Sequence, residues 1–191
     1  FNLIYLILKY NTMASQQYGM GMAVIGNNAV DLYNSNTPQT HISEAKSMDS
    51  LVRSYLTSQV GQDFSSYVAS KGRRFVKIKG VGAGDLGEDT VAAIIHDGLE
   101  GVILSNYSGT TFLERVGQMA NSYGISEDAM TEYVITHELA HAAGCKSEAK
   151  TEGFIKEYFE QKAFKSQGDD RNRYVNLASI AAKREKEANK A

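Results

Sequence analysis

Two neighbouring stretches towards the C-terminal end of the chain each place ionisable side chains on the helix face that must turn inward. This pairing constrains the fold more than any other feature of the sequence. In the first stretch, Ser126 is positioned to cap a helix whose opening turn carries Glu127 and Asp128, acids suited to the positive end of the helix dipole. Gly144 supplies a left-handed stop, so the spacing predicts a helix over 127–143. Along it Met130, Val134, His137 and His141 follow one another at helical spacing, which puts two histidines on the apolar stripe. In the second stretch, Ser147 caps a helix on which Glu148, Glu152, Ile155 and Phe159 share a face. A fold that buries both stripes must find partners for these carboxylates, because an unpaired buried carboxylate is costly.

Residues 137–141 read His-Glu-Leu-Ala-His. Two histidines four apart on a helix are separated by about 40° around its axis, so both imidazoles can reach one metal ion while Glu138 points beside it towards a bound water. With four histidines in 191 residues, chance alone produces the pattern in about 0.6% of shuffled chains. The bland interpretation is a pair of core histidines satisfied by hydrogen bonds, with Glu138 solvated. A catalytic zinc site needs three protein ligands and one open position, and the candidates for the third ligand are Glu148 and Glu152. Cys145 could also ligate a metal as a thiolate, but a lone cysteine just past Gly144 reads more simply as a small buried hydrophobe.

The pattern H-E-x-x-H followed by a helix offering Glu resembles the gluzincin group of zinc metallopeptidases, particularly its small, single-domain members. In that group the third ligand is a Glu on a later helix, often within E-x-x-A-[DN]. Residues 148–152, Glu-Ala-Lys-Thr-Glu, are similar, with Thr for Ala and Glu for the final acid or amide. The resemblance covers about residues 127–165. It implies a zincin-like α+β fold: a small β-sheet packed on an active-site helix, a following Glu-bearing helix and a C-terminal helix. It further implies His137, His141 and Glu148 as ligands of one Zn2+ per chain, Glu138 as general base and acid, and a peptide or protein as substrate. Glu152 is then the acceptor that holds a ligand histidine in place. The segment from His141 to Glu148 is shorter than is common in the group, so Glu152 stays open as an alternative ligand. The start of the metzincin pattern is also present from His137 to Gly144, but Ser147 stands where its third histidine belongs, and a neutral serine is a poor zinc ligand. The competing functional expectation is a non-catalytic, metal-stabilised regulatory or interaction domain.

Composition bounds the partners. A net charge of −2 offers no general attraction to nucleic acid or to an anionic membrane surface. The single cysteine excludes an intramolecular disulfide framework, which fits a reducing, cytoplasmic setting. Residues 1–10, FNLIYLILKY, are apolar but too short to span a bilayer, so membrane association is expected only if they belong to a longer anchor. The expected organisation is an N-terminal extension over 1–19 and a single domain over 20–191.

The remaining chain reads as short elements. A hairpin is expected over Met20–Tyr33, a loop over Asn34–His41, a helix over 44–60, a shorter helix from Phe64 to Gly72 and a strand over Arg74–Lys79. Gly80–Gly87 reads as a flexible loop; its G-x-G-x-x-G at Gly82, Gly84 and Gly87 lacks the following helix that a dinucleotide fingerprint requires. Residues 91–95 and 101–105 read as a second hairpin, and the resemblance to zinc metallopeptidases implies that one of its strands supplies the edge along which an extended substrate lies. Thr111 and Glu114 form a capping box for a helix to Tyr123, ended by Gly124. A last helix from about 170, with Tyr174, Leu177 and Ile180 inward, is expected to dissolve into a solvated charged tail, Lys183–Lys190. Candidates to stabilise an oxyanion are Tyr133, Tyr158, Tyr174 and His96.

Overall fold

The computed structural model describes residues 23–26, 38–86, 90–97, 100–107 and 109–190. Its helical part opens with α1 (Gln39–Thr57) and α2 (Gln59–Ser70). α1 starts five residues earlier than its apolar periodicity suggested, directly after Pro38. Proline fits a helix start because the N–H it lacks has no partner there in any case. The expected loop over 34–41 therefore gives way to helix from Gln39; residues 34–37 lie outside the described part. Ser58 then breaks α1 from α2, accepting a hydrogen bond from Gly61 N at 3.2 Å. This junction is tight: a Cβ on Gly61 would sit 2.2 Å from Tyr55 O.

Four strands form one mixed sheet, in the order β1-β2-β4-β3. They are β1 (Ala23–Gly26), β2 (Lys77–Gly84), β3 (Ala92–Asp97) and β4 (Glu100–Asn106). β2 runs parallel to β4 and antiparallel to β1, and β3 and β4 form the expected antiparallel hairpin. Of the two strands proposed for the exposed edge, β3 is at the edge and β4 is interior. From the first expected hairpin only Ala23–Gly26 falls among the described residues; Ala29–Tyr33 does not.

The glycine-rich segment corrects the sequence-based expectation. Gly80, Gly82 and Gly84 are not in a loop but in β2, whose ladder extends from Lys77 through Gly84. The odd positions Val81 and Ala83 point into the interior, 2% and 0% exposed. The run is thus a period-two strand with the side chains of one face missing, and hydrogen bonding to β1 and β4 on its two sides outweighs the weak strand preference of glycine. The next element after it is β3, which removes the dinucleotide interpretation.

α3 (Phe112–Tyr123) carries the expected capping box and ends at left-handed Gly124, with φ of 65°. It is followed by α4 (Glu127–Ala142), α5 (Glu148–Lys165) and α6 (Gly168–Ala188). The main core lies between the sheet and the helices, joining Met48 of α1, Phe64 of α2, Ile103 of β4, Met130 of α4, Phe159 of α5 and Leu177 of α6. α6 does not dissolve at Lys183. It stays helical to Ala188, and Arg184 and Glu185 each reach α5. Among the described residues, no helix is long and apolar enough to cross a membrane.

Candidate metal centre

α4 is the helix the sequence predicts. Ser126 caps it through Ala129 N at 3.2 Å, and Gly144 follows with φ of 88°. Its last carbonyls, which the helix cannot satisfy itself, are taken from outside: Val76 N donates to Ala142 O at 2.8 Å and Arg73 Nη1 to Ala143 O at 3.2 Å. The turn over 143–147 is short enough that Glu148, the first residue of α5, faces the histidines of the preceding helix.

His137 Nε2 and His141 Nε2 are 3.1 Å apart. Glu148 straddles them, with Oε2 3.2 Å from His137 Nε2 and Oε1 3.2 Å from His141 Nε2. Donors about 2.0–2.1 Å from a metal ion at tetrahedral angles lie about 3.3 Å from one another, so the spacing is compatible with a shared ion. All three residues are buried, and they form a group able to hold a metal ion. The thiol of Cys145 is not part of it.

The other nitrogen of the imidazole fixes the tautomer that a ligand needs at His141. His141 Nδ1 lies 2.8 Å from Cys145 O, a pure acceptor, so Nδ1 carries the proton and Nε2 presents its lone pair. Thr151 Oγ1, which donates to Ser147 O at 3.0 Å, stands 3.2 Å from the same Nδ1. His137 Nδ1 is 3.3 Å from Glu152 Oε1, an ion-pair approach without the alignment of a hydrogen bond. Glu152 is therefore on the far side of His137 from the cluster. Its Oε1 accepts from Arg184 Nε at 2.7 Å and its Oε2 from Tyr133 Oη at 2.5 Å. The structure thus brings Glu148 to the paired nitrogens and Glu152 to the back of a histidine.

Electrostatically the pocket favours positive charge. Burial alone would lower the pKa of His137, but the charge of Glu152 and hydrogen bonding with Glu148 outweigh it and raise it to about 10. Burial alone would raise the pKa of Glu148, but its close approach to His137 and His141 holds it well below the usual carboxylate range. The same environment that retains a proton on His137 suits a cation between the three donors.

Glu138 differs from the other acids. It is 2% exposed, and no hydrogen bond holds its carboxylate among the described residues. Burial raises its pKa, with His137 and His141 pulling the other way. It lines a cleft of about 10 Å³ with Val91, Ala92, Met119, Val134 and Arg184, on the order of the space one water molecule needs. Asn106 fixes one wall of this cleft: its side chain accepts from Leu86 N and donates to Thr90 O, while its N–H donates to Val91 O.

The three tyrosine candidates for the oxyanion are engaged elsewhere. Tyr133 donates to Glu152, Tyr158 donates to Val60 O at 3.3 Å, and Tyr174 stacks on Phe159 under the Lys162 ammonium. The side chain of His96 lies outside the described residues. Sequence reasoning missed Arg184 and Thr151. The signals were present: Arg184 follows Leu177 and Ile180 at helical spacing, and Thr151 lies one turn past Glu148 on the same face.

No known protein family, curated protein or solved structure matches this chain. The class the site defines therefore rests on its own geometry: a buried two-histidine, one-glutamate group with the capacity to bind a metal ion.

Proposed function

We propose that the chain is a zinc-dependent metallopeptidase of zincin-like fold. The observation that carries this proposal is the convergence of His137 Nε2, His141 Nε2 and the Glu148 carboxylate at 3.1–3.2 Å, with a second, unbonded carboxylate, Glu138, on the same helix between the two histidines. Two imidazoles and one carboxylate form a donor set that suits zinc and leaves a position for water, unlike the four Cys or His ligands of most structural sites. Zinc held there would supply Lewis-acid activation, bringing the pKa of a bound water towards neutrality.

The residues of the chain do the rest. Glu138, raised in pKa by burial, takes the proton of the attacking water and delivers it to the leaving amine. The Cys145 carbonyl keeps His141 in the ligating tautomer, and the Glu152 carboxylate faces Nδ1 of His137, where it favours a proton on that nitrogen. β3, at the sheet edge and with its first residue Ala92 beside Glu138 in the cleft, is the strand against which an extended peptide would lie. Glu138→Gln is expected to retain zinc while cleaving unstructured peptides about 10²–10⁴-fold more slowly. Equal cleavage by parent and variant would sink the proposal.

One observation favours a second possibility. His137, Glu138, His141 and Glu148 are only 2%, 2%, 3% and 8% exposed, as in a site kept for folding rather than turnover. A metal-stabilised regulatory or interaction domain predicts an ion ligated by protein side chains alone. The peptidase predicts one exchangeable solvent ligand, and electron–nuclear spectroscopy on a Co2+-substituted sample separates the two.

A further inference from the structure

Beyond the three donors, the buried site contains more charge than a metal ion alone would balance. Glu138, Glu148 and Glu152 are all nearly inaccessible and all acidic. A divalent ion would offset two of these charges. The third positive charge adjoining the cluster is Arg184, whose side chain is 14% exposed and whose Nε is 2.7 Å from Glu152 Oε1. That oxygen is the one 3.3 Å from His137 Nδ1. A chain of contacts therefore runs from the C-terminal helix through α5 to the first histidine of α4.

We propose that Arg184 is a positioning residue for the metal site: by fixing Glu152 it orients His137, so the last turns of α6 set the metal affinity of a centre built on α4 and α5. The inference rests on the proposal that His137, His141 and Glu148 bind a metal. Four features support it. Glu152 has two tethers on different oxygens, Arg184 on Oε1 and Tyr133 on Oε2, so its carboxylate plane is fixed; removing Arg184 leaves Tyr133 alone and frees the oxygen that faces His137. Arg184 is held in place by the helix, since Leu177, Ile180 and Ala181 are buried one and two turns before it. The α5 backbone is open at this turn: Gly153, next to Glu152, presents no Cβ where Glu185 Oε1 would be 2.8 Å away, so α6 side chains approach closely. His137 Nδ1 has no aligned hydrogen bond, and Glu152 Oε1, 3.3 Å away, is the charged group that faces it.

The test uses the full chain and measures the Zn2+ dissociation constant by chelator competition, together with the visible absorption of the Co2+-substituted protein. Arg184→Met is expected to weaken Zn2+ binding about tenfold or more and to change the Co2+ spectrum, as loss of an outer partner of a ligand histidine does. Arg184→Lys, which keeps the charge beside Glu152, is expected to recover most of that loss. Glu185→Ala removes the neighbouring Lys156–Glu185 contact between the same two helices and is expected to leave affinity and spectrum unchanged. A merely structural clasp would instead make Glu185→Ala and Arg184→Met alike. If Arg184→Met does not fold, the comparison moves to Glu152→Gln with and without Arg184→Met, of which the double variant has both partners of the pair neutral and no charge stranded. Because Arg184 acts through Glu152, both are expected to bind equally, and further weakening by Arg184→Met there overturns the inference. Unchanged binding by Arg184→Met in an otherwise unaltered chain overturns it too, with the metal site intact. Absence of metal binding by the parent chain overturns both this inference and the function it rests on.

Discussion

His141 is held by contacts that a single substitution can remove one at a time, and Thr151 offers the mildest. Thr151→Val keeps the shape of a fully buried side chain but deletes the Oγ1 that stands 3.2 Å from His141 Nδ1. Metal affinity is expected to fall by up to about tenfold, since the Cys145 carbonyl still fixes the tautomer, and chelator competition measures it. A pH dependence follows from His137. Its folded pKa, raised to about 10 from an ordinary 6.5, means that in the metal-free chain it contributes stability fully below about pH 6.5 and loses it as the pH rises towards 10. Urea unfolding of the chelated protein is expected to show stability declining between pH 7 and 9. Metal affinity should rise over the same interval, because the metal must displace that proton. At this scale the sequence was most informative about His137, Glu138 and His141, because helical spacing is a local property. Helical spacing alone did not separate Glu148 from Glu152, which share a face; the resemblance ranked Glu148 first, and their placement depends on how the 143–147 turn folds α5 back and on Arg184 and Tyr133 holding Glu152 behind His137.

Elements whose ends carry chemical signals were legible too. Ser126, Ser147, the Thr111–Glu114 box and Gly124 mark α3, α4 and α5 where the structure has them. β2 was misjudged because glycine reads as punctuation locally, whereas here two partner strands supply the hydrogen bonds that order it. α6 was judged too short because its last charged residues look solvated until α5 is placed beside them. The α1–α2 junction gives the test at this scale. Gly61→Ala would drive a methyl group to 2.2 Å from the Tyr55 carbonyl oxygen, backbone that cannot give way as a side chain can. A destabilisation of about 1–3 kcal/mol is expected from the urea midpoint.

Across the whole molecule, a metal held by this group would couple its binding to folding, because the donors come from two helices that only the folded chain brings together. With metal at about 100 times its dissociation constant the fold gains about 2.7 kcal/mol, which for a chain of this size raises the thermal midpoint by about 5–10 °C. Stripping the metal with a chelator should reverse the shift, and a midpoint indifferent to both treatments would contradict the coupling. The mixed α and β composition and the β3–β4 hairpin were legible in the sequence; the parallel β2–β4 pairing was not, since it joins strands that do not follow one another in the chain. The most direct test of the central claim is elemental analysis of the freshly purified chain beside its Glu148→Ala variant. The geometry of His137, His141 and Glu148 predicts about one zinc per chain in the parent and none retained by the variant. A parent chain that binds no zinc even after reconstitution, or a variant that binds it as well as the parent does, would contradict that claim.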